Sequence, residues 1–234
     1  MRHVMPKKRS FTSLSRRAIL VGGMATAATI SGKAVSAMAT SAKSISSSKS
    51  PAFDRERFVA DCVTAHEADG MDAVKEVLAS AMSNHAAVLD ALGGPKKAGL
   101  DVMHNSSKFT IFAAHWTPQM NLLPHDHMMK ALIGIYTGRE DNILWRRRDG
   151  GIEAYEASCL FKGDVVALPE NAIHSVINPL QQFTGGIHIY DGDFFATERH
   201  QWDPVSLIEE PSDGDSIRAM FASENERFFS SCET

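Results

Sequence analysis

Near Lys108 the apolar pattern of this chain changes period, and that change sets what it can fold into. Ahead of it the spacing is helical. Phe58, Val59, Cys62 and Val63 form one stripe, Asp54 is a suitable N-cap, and Gly70 breaks the run. Val74, Val77, Leu78 and Met82 mark a second helix. Ala87, Val88, Leu89 and Leu92 mark a short third, closed by Gly93-Gly94-Pro95. Beyond Lys108 come short β-rich runs between turn signals: Phe109 to Ala114, Ala131 to Tyr136, Val165 to Leu168, His174 to Ile177 and Gly186 to Tyr190. Asn142 to Arg146 and Ile152 to Ala157 flank Asp149-Gly150, a strong hairpin signal. Many short strands at near-regular spacing predict a sandwich or small barrel, with the helices packed outside the sheet. The sequence has no internal repeat and no glycine-rich phosphate loop.

The first 39 residues read differently. They hold Arg2, Lys7, Lys8, Arg9, Arg16, Arg17 and Lys33 and no acid. Ser15-Arg16-Arg17 resembles a twin-arginine export signal, followed by a weakly apolar stretch and the small-x-small site Ala37-Met38-Ala39. That order predicts export to the periplasm through the twin-arginine machinery. Removing the segment takes seven of the 24 basic residues and leaves 17 against 28 acidic ones, a net charge of −11. A chain so acidic repels phosphate backbones, which argues against a nucleic-acid partner. Cys62, Cys159 and Cys232 are too few and too scattered for a disulfide framework or a thiolate metal site. The expected organisation is a signal segment over 1–39, a flexible linker over 40–53 and a helical block over 54–98. A barrel over 105–205 and a C-terminal tail over 206–234 complete it.

The chemistry-bearing residues are histidines. In Leu123-Pro124-His125-Asp126-His127 the two imidazoles are at i and i+2, so on a strand they share a face while Asp126 points away. His174, on a later strand, supplies a third nitrogen. Three neutral imidazoles suit Fe(II), Zn(II), Cu or Ni and leave coordination positions open.

His-x-His, then Gly138, then Gly163 with Pro169, Asn171, His174 and Asn178 resembles the two sequence motifs of the cupins. The resemblance implies a mainly β fold: a cupin double-stranded β-helix (jelly-roll) barrel with an N-terminal helical block, and a metal held by His125, His127 and His174. Most cupins add a glutamate ligand four or five residues after the second histidine. Here those positions are Ala131 and Leu132. The chain therefore resembles the three-histidine, cysteine dioxygenase-like branch. Gly186-Ile187-His188-Ile189-Tyr190 resembles the Ser-x-His-x-Tyr segment of those enzymes, with Gly186 in place of the serine. The resemblance implies Fe(II) as cofactor, a small thiol and O2 as substrates, and a sulfinate as product. Tyr190, oriented by His188, would donate a hydrogen bond toward the substrate. Another divalent metal (Zn, Mn, Ni) with other enzyme chemistry, or a non-catalytic periplasmic binding or sensing cupin, are the alternatives.

Related dioxygenases place a carboxylate-binding arginine ahead of the histidine pair. Between Ser106 and Pro124 this chain has Lys108 but no arginine. Arg139 reads as a surface ion-pair member beside Glu140 and Asp141. Arg146, Arg147 and Arg148 read as a solvated face. His66, His85, His104 and His200 read as structural, and His115 as a lesser candidate for the pocket. Phe194, Phe195 and Trp202 are expected to cover one end of the barrel.

Overall fold

The computed structural model describes residues 52–212 and 214–232, without the side chain of Cys232. The expected signal segment, and all but the last two residues of the expected linker, lie outside them. Helix α1 spans Arg55–Met82. Asp54 caps it, its carboxylate accepting from the Arg57 amide at 2.7 Å. Gly70, at φ 64°, kinks it where the sequence placed a break between two helices. Helix α2 covers His85–Leu92.

Strands follow: β1 (Gly99–Asn105), β2 (Thr110–Trp116), β3 (Asn121–Asp126), β4 (Ala131–Thr137), β5 (Arg139–Arg148) and β6 (Gly151–Phe161). Then come β7 (Val165–Leu168), β8 (Ile173–Ile177), β9 (Thr184–Tyr190), β10 (Arg199–Trp202) and β11 (Glu209–Ser212). Helix α3, Gly214–Cys232, is the last element. One sheet has the order β1-β2-β9-β4-β7 and the other β11-β10-β3-β8-β5-β6.

The eight strands β2 to β9 pair first with last, inward: β2 with β9, β3 with β8, β4 with β7 and β5 with β6, all antiparallel. A long hairpin rolled up in this way is the jelly-roll, or double-stranded β-helix, of the cupin type. The fold class is thus the one expected. β1 extends the first sheet, and β10 and β11 extend the second.

Alternation decides which side chains face in. On β2, Phe112, Ala114 and Trp116 enter the barrel, while Ile111 and Ala113 join the outer layer. On β9, Tyr190 points in and Ile187 and Ile189 point out. Against that outer layer α1 lays Phe58, Cys62, Val74, Leu78 and Met82. Leu78 and Met82 come so close to β4 that a Cβ on Gly134 would lie 2.8 Å from Met82 Cγ. The first sheet is covered on both faces, which is why Ala131 to Tyr136 reads as a continuous apolar run rather than an alternating one.

Two boundaries differ from the sequence reading. The first sheet begins at β1, ahead of residue 105. That strand has a half-exposed pattern with Asp101 outward, so no clean apolar run announces it. Residues 206–234, read as a tail, contain β11 and α3. Helix α3 docks by Phe221, whose ring stacks on Trp116 at 5.8 Å, and by Phe228 edge-on to Phe183. Its Asn225 accepts from the Ala98 amide at 2.7 Å and donates to the Ala98 carbonyl at 3.0 Å.

Candidate metal centre

His125 on β3 stands opposite His174 on β8 and Gln201 on β10. His127 follows one residue past the end of β3. Nε2 of His127 lies 3.2 Å from Nε2 of His125 and 3.1 Å from Nε2 of His174. The ligand atoms of all three lie within 4.8 Å of one another. Two metal–nitrogen bonds of about 2.1 Å meeting at roughly 90–110° hold their nitrogens roughly 3.0–3.4 Å apart. The two pairs that His127 makes fall in that range, so the cluster could hold one ion.

The ring environments agree. His125 Nδ1 faces the Leu123 carbonyl at 3.0 Å, and His174 Nδ1 faces Asn142 Oδ1 at 2.6 Å. Burial lowers the His125 pKa to about 4, with the Leu123 carbonyl opposing and Arg199 assisting. Burial, then the neighbouring imidazoles, hold His127 and His174 well below the ordinary histidine value. All three are neutral ligands at neutral pH. Asp126 points to the other face, as its strand position predicts. There it accepts from the His200 amide and faces His200 Nδ1, each at 2.9 Å.

Around the cluster the second sheet gives way to the first. Tyr190 stands edge-on to His127, with ring centroids 4.9 Å apart, and its hydroxyl is 3.3 Å from His188 Nδ1. Burial raises the Tyr190 pKa above the ordinary tyrosine value, so the hydroxyl stays neutral. Phe194 packs on Tyr190 at 4.4 Å. The cavity beside the cluster measures about 80 Å³ and is bounded by Phe112, Trp116 and, from α3, Ile217, Met220 and Phe221. A single water needs roughly 10–15 Å³ on the same scale, so the cavity takes a molecule of a few heavy atoms.

Three polar residues of this region were not read from the sequence. Arg199 on β10 lines the cavity, is 6% exposed and stacks over Phe194 at 3.9 Å. Its Nε has no hydrogen-bond partner. Burial lowers its pKa, opposed by Tyr190 and Asp126. Glu140 and Asn142 on β5 turn inward. Glu140 is fully buried and accepts from Trp116 Nε1 at 2.9 Å and Asn142 Nδ2 at 3.0 Å. Burial pushes its carboxyl up, but the facing His188 and these two hydrogen bonds outweigh it and hold it below the ordinary value. Arg139 does pair with Asp141, at 2.6 Å, but Glu140 takes no part in that surface contact.

The structure also places the other residues singled out in the sequence, and Arg146 and Arg147 stand as expected. His115 lies on the outer face of β2 against the Tyr136 hydroxyl at 2.9 Å, away from the cavity. Trp202 does not join Phe194: β10 alternation sends it outward into a cluster with Ile152 and Ile173. Arg146 and Arg147 are solvent-facing and pair with Glu153 and Glu209. Cys62 and Cys159 are both free.

No family model matches the chain, and no curated protein matches it. Solved structures do. An uncharacterized conserved protein with a double-stranded β-helix domain, from Klebsiella pneumoniae subsp. pneumoniae, is 12% identical over 45% of this chain and 82% of its own, with TM-score 0.37. An RmlC-like cupin family protein from Methanocaldococcus jannaschii is 14% identical over 43% and 84%, with TM-score 0.37. Oxalate oxidase in complex with the substrate analogue glycolate is 13% identical over 42% and 52%, with TM-score 0.35.

Proposed function

We propose that the protein is a non-haem Fe(II) dioxygenase that oxidises a small, anionic thiol with O2: R–SH + O2 → R–SO2⁻ + H⁺. The observation that supports this best is the triangle of neutral nitrogens from His125, His127 and His174, with no carboxylate in the group among the described residues and Tyr190 on its cavity side. Three uncharged ligands leave a divalent ion its full charge, which favours a thiolate over a neutral ligand. His125, His127 and His174 would hold the ferrous ion, which would supply redox chemistry between the thiolate and O2.

The chain's own residues do the rest. Tyr190 presents a neutral hydroxyl to the reacting sulfur. Arg199, buried and with Nε unpartnered, holds the anionic end of the substrate. Phe112, Phe194 and Trp116 keep bulk water out, so these polar contacts act at low dielectric. The twin-arginine reading of residues 1–39 adds export of the folded protein with its metal inserted.

Metal analysis of anaerobically purified protein tests the first claim, followed by oxygen uptake and sulfinate detection with a panel of small thiols. We expect iron and thiol-dependent uptake. Iron-loaded protein that consumes no oxygen with any thiol would sink this reading in favour of another divalent metal or a binding cupin. Replacing Arg16 and Arg17 by lysine should hold the protein in the cytoplasm, and unchanged export removes the leader assignment.

A further inference from the structure

Glu140 is an acid with no solvent contact, set on β5 behind both the metal cluster and Tyr190. We propose that Glu140 is a positioning residue that fixes the proton on two histidines at once, the ligand His174 and the tyrosine partner His188. The His174 arm rests on the metal-centre reading above; the His188 arm does not.

The assignment is forced step by step. An ionised carboxylate only accepts hydrogen bonds. Facing Glu140 Oε1 at 3.0 Å, Asn142 must turn its amide nitrogen to it, which leaves its oxygen for His174. That oxygen also only accepts, and it lies 2.6 Å from His174 Nδ1. So Nδ1 carries the hydrogen, and Nε2 offers its lone pair to the position shared with His127 and His125. The carboxylate orients the ligand through one intervening amide.

On the other side, Glu140 Oε2 stands 3.6 Å from His188 Nε2. This is too long for a hydrogen bond and is an electrostatic contact. The nitrogen is buried and has no other partner. A lone pair there would face a carboxylate, so Nε2 carries the hydrogen. Gly186 stands next to this nitrogen: a Cβ at 186 would lie 3.4 Å from it. With that hydrogen as the ring's single proton, Nδ1 accepts from the Tyr190 hydroxyl at 3.3 Å. The tyrosine hydrogen points at His188 and its oxygen lone pairs face the cavity, opposite to the direction the family resemblance implies. Tyr190 therefore turns a hydrogen-bond acceptor, not a donor, toward the cavity.

Nitrogen-15 NMR of the histidine rings in metal-free protein tests this directly. We expect the Nδ1–H form at His174 and the Nε2–H form at His188. Glu140→Gln, with one acceptor fewer, should mix the forms at His188 and weaken zinc binding at least tenfold, the size of a lost outer contact of this kind (about 10- to 100-fold). Adding Gly186→Ser puts a hydroxyl beside Nε2. It should restore the His188 signature while zinc affinity stays low. Wild-type His188 protonated on Nδ1 alone, or on both nitrogens, overturns the proposal, as does Glu140→Gln with unchanged ring signals and affinity. If wild type binds no zinc, the metal reading fails, and the metal-free ring signals still decide the role of Glu140.

Discussion

Acidifying the metal-free protein should unfold it through the metal cluster. His125 titrates near 6.5 in the unfolded chain and near 4 in the fold, because burial disfavours its charged form. Between those values the unfolded chain holds a proton that the folded chain does not. Stability contributed by the neutral ring is therefore present above pH 6.5 and drains away as pH falls to about 4. At about 1.4 kcal/mol per pH unit the loss reaches about 3 kcal/mol, an upper figure because the ring is partly open to the cavity. His127 and His174 shift the same way and add to it. For a domain of this size about 3 kcal/mol corresponds to roughly 6–12 °C in melting temperature. Carboxylates titrate over the same range, so the informative quantity is a difference. Denaturant midpoints of wild type and His125→Gln, both metal-free, are measured from pH 7 to pH 4. The wild-type curve should be the steeper. Saturating zinc should raise the wild-type midpoint at pH 7, by about 2.7 kcal/mol at a hundredfold excess over Kd, and that increment should shrink toward pH 4. Parallel curves for wild type and His125→Gln would refute the burial argument.

Three further outcomes follow from the same geometry. His174→Ala should lose bound metal, whereas Tyr190→Phe should keep it and slow turnover roughly 10- to 100-fold; equal metal content in wild type and His174→Ala counts against the ligand set. Arg199→Met should raise KM for an anionic thiol at least tenfold and barely change it for an uncharged one; equal KM changes for both would remove the clamp. Gly185→Ala should cost about 1–3 kcal/mol in chemical denaturation, because its Cβ would lie 2.5 Å from the Tyr136 ring and hydroxyl, a buried side chain tied to His115; an unchanged midpoint would show that Tyr136 moves freely.

What could be read from the sequence was mostly local. The Asp54 cap, the Gly70 break and the Asp149-Gly150 turn each depend on a few neighbouring residues. The metal cluster was legible because two of its ligands are two residues apart and the third sits in a spaced motif. Glu140 was missed because Arg139-Glu140-Asp141 reads as one charged run. Strand alternation splits that run, sending Arg139 and Asp141 to solvent and Glu140, with Asn142, into the barrel. The period-two rule that paired His125 with His127 would have separated these three as well. Arg199 was hidden in the same way between Glu198 and His200, and Trp202 follows His200 to the outer face. Helix α3 gave no warning: its apolar face is narrow and its contacts, to Ala98, Trp116 and Phe183, are far away in sequence.

The two sheets divide the work at the site. The six-stranded sheet carries His125 and His174, with His127 just past the end of β3, the Glu140–Asn142 pair behind them and Arg199. The five-stranded sheet carries His188 and Tyr190, with Phe112 packed against both rings. The distance from the histidine cluster to Tyr190 is therefore a distance between sheets, and the side chains packed between them set it. Phe194, between Tyr190 and the Arg199 guanidinium, is one such spacer. Helix α1 matters for the same reason: by packing on the outer face of the five-stranded sheet it fixes the wall on which His188 and Tyr190 stand. An acid that reaches from the ligand sheet to His188 then ties the two halves electrically as well as sterically. In this barrel the folding core and the histidine cluster are not separate, because the contacts that set the sheet spacing also set the distance from the cluster to His188 and Tyr190.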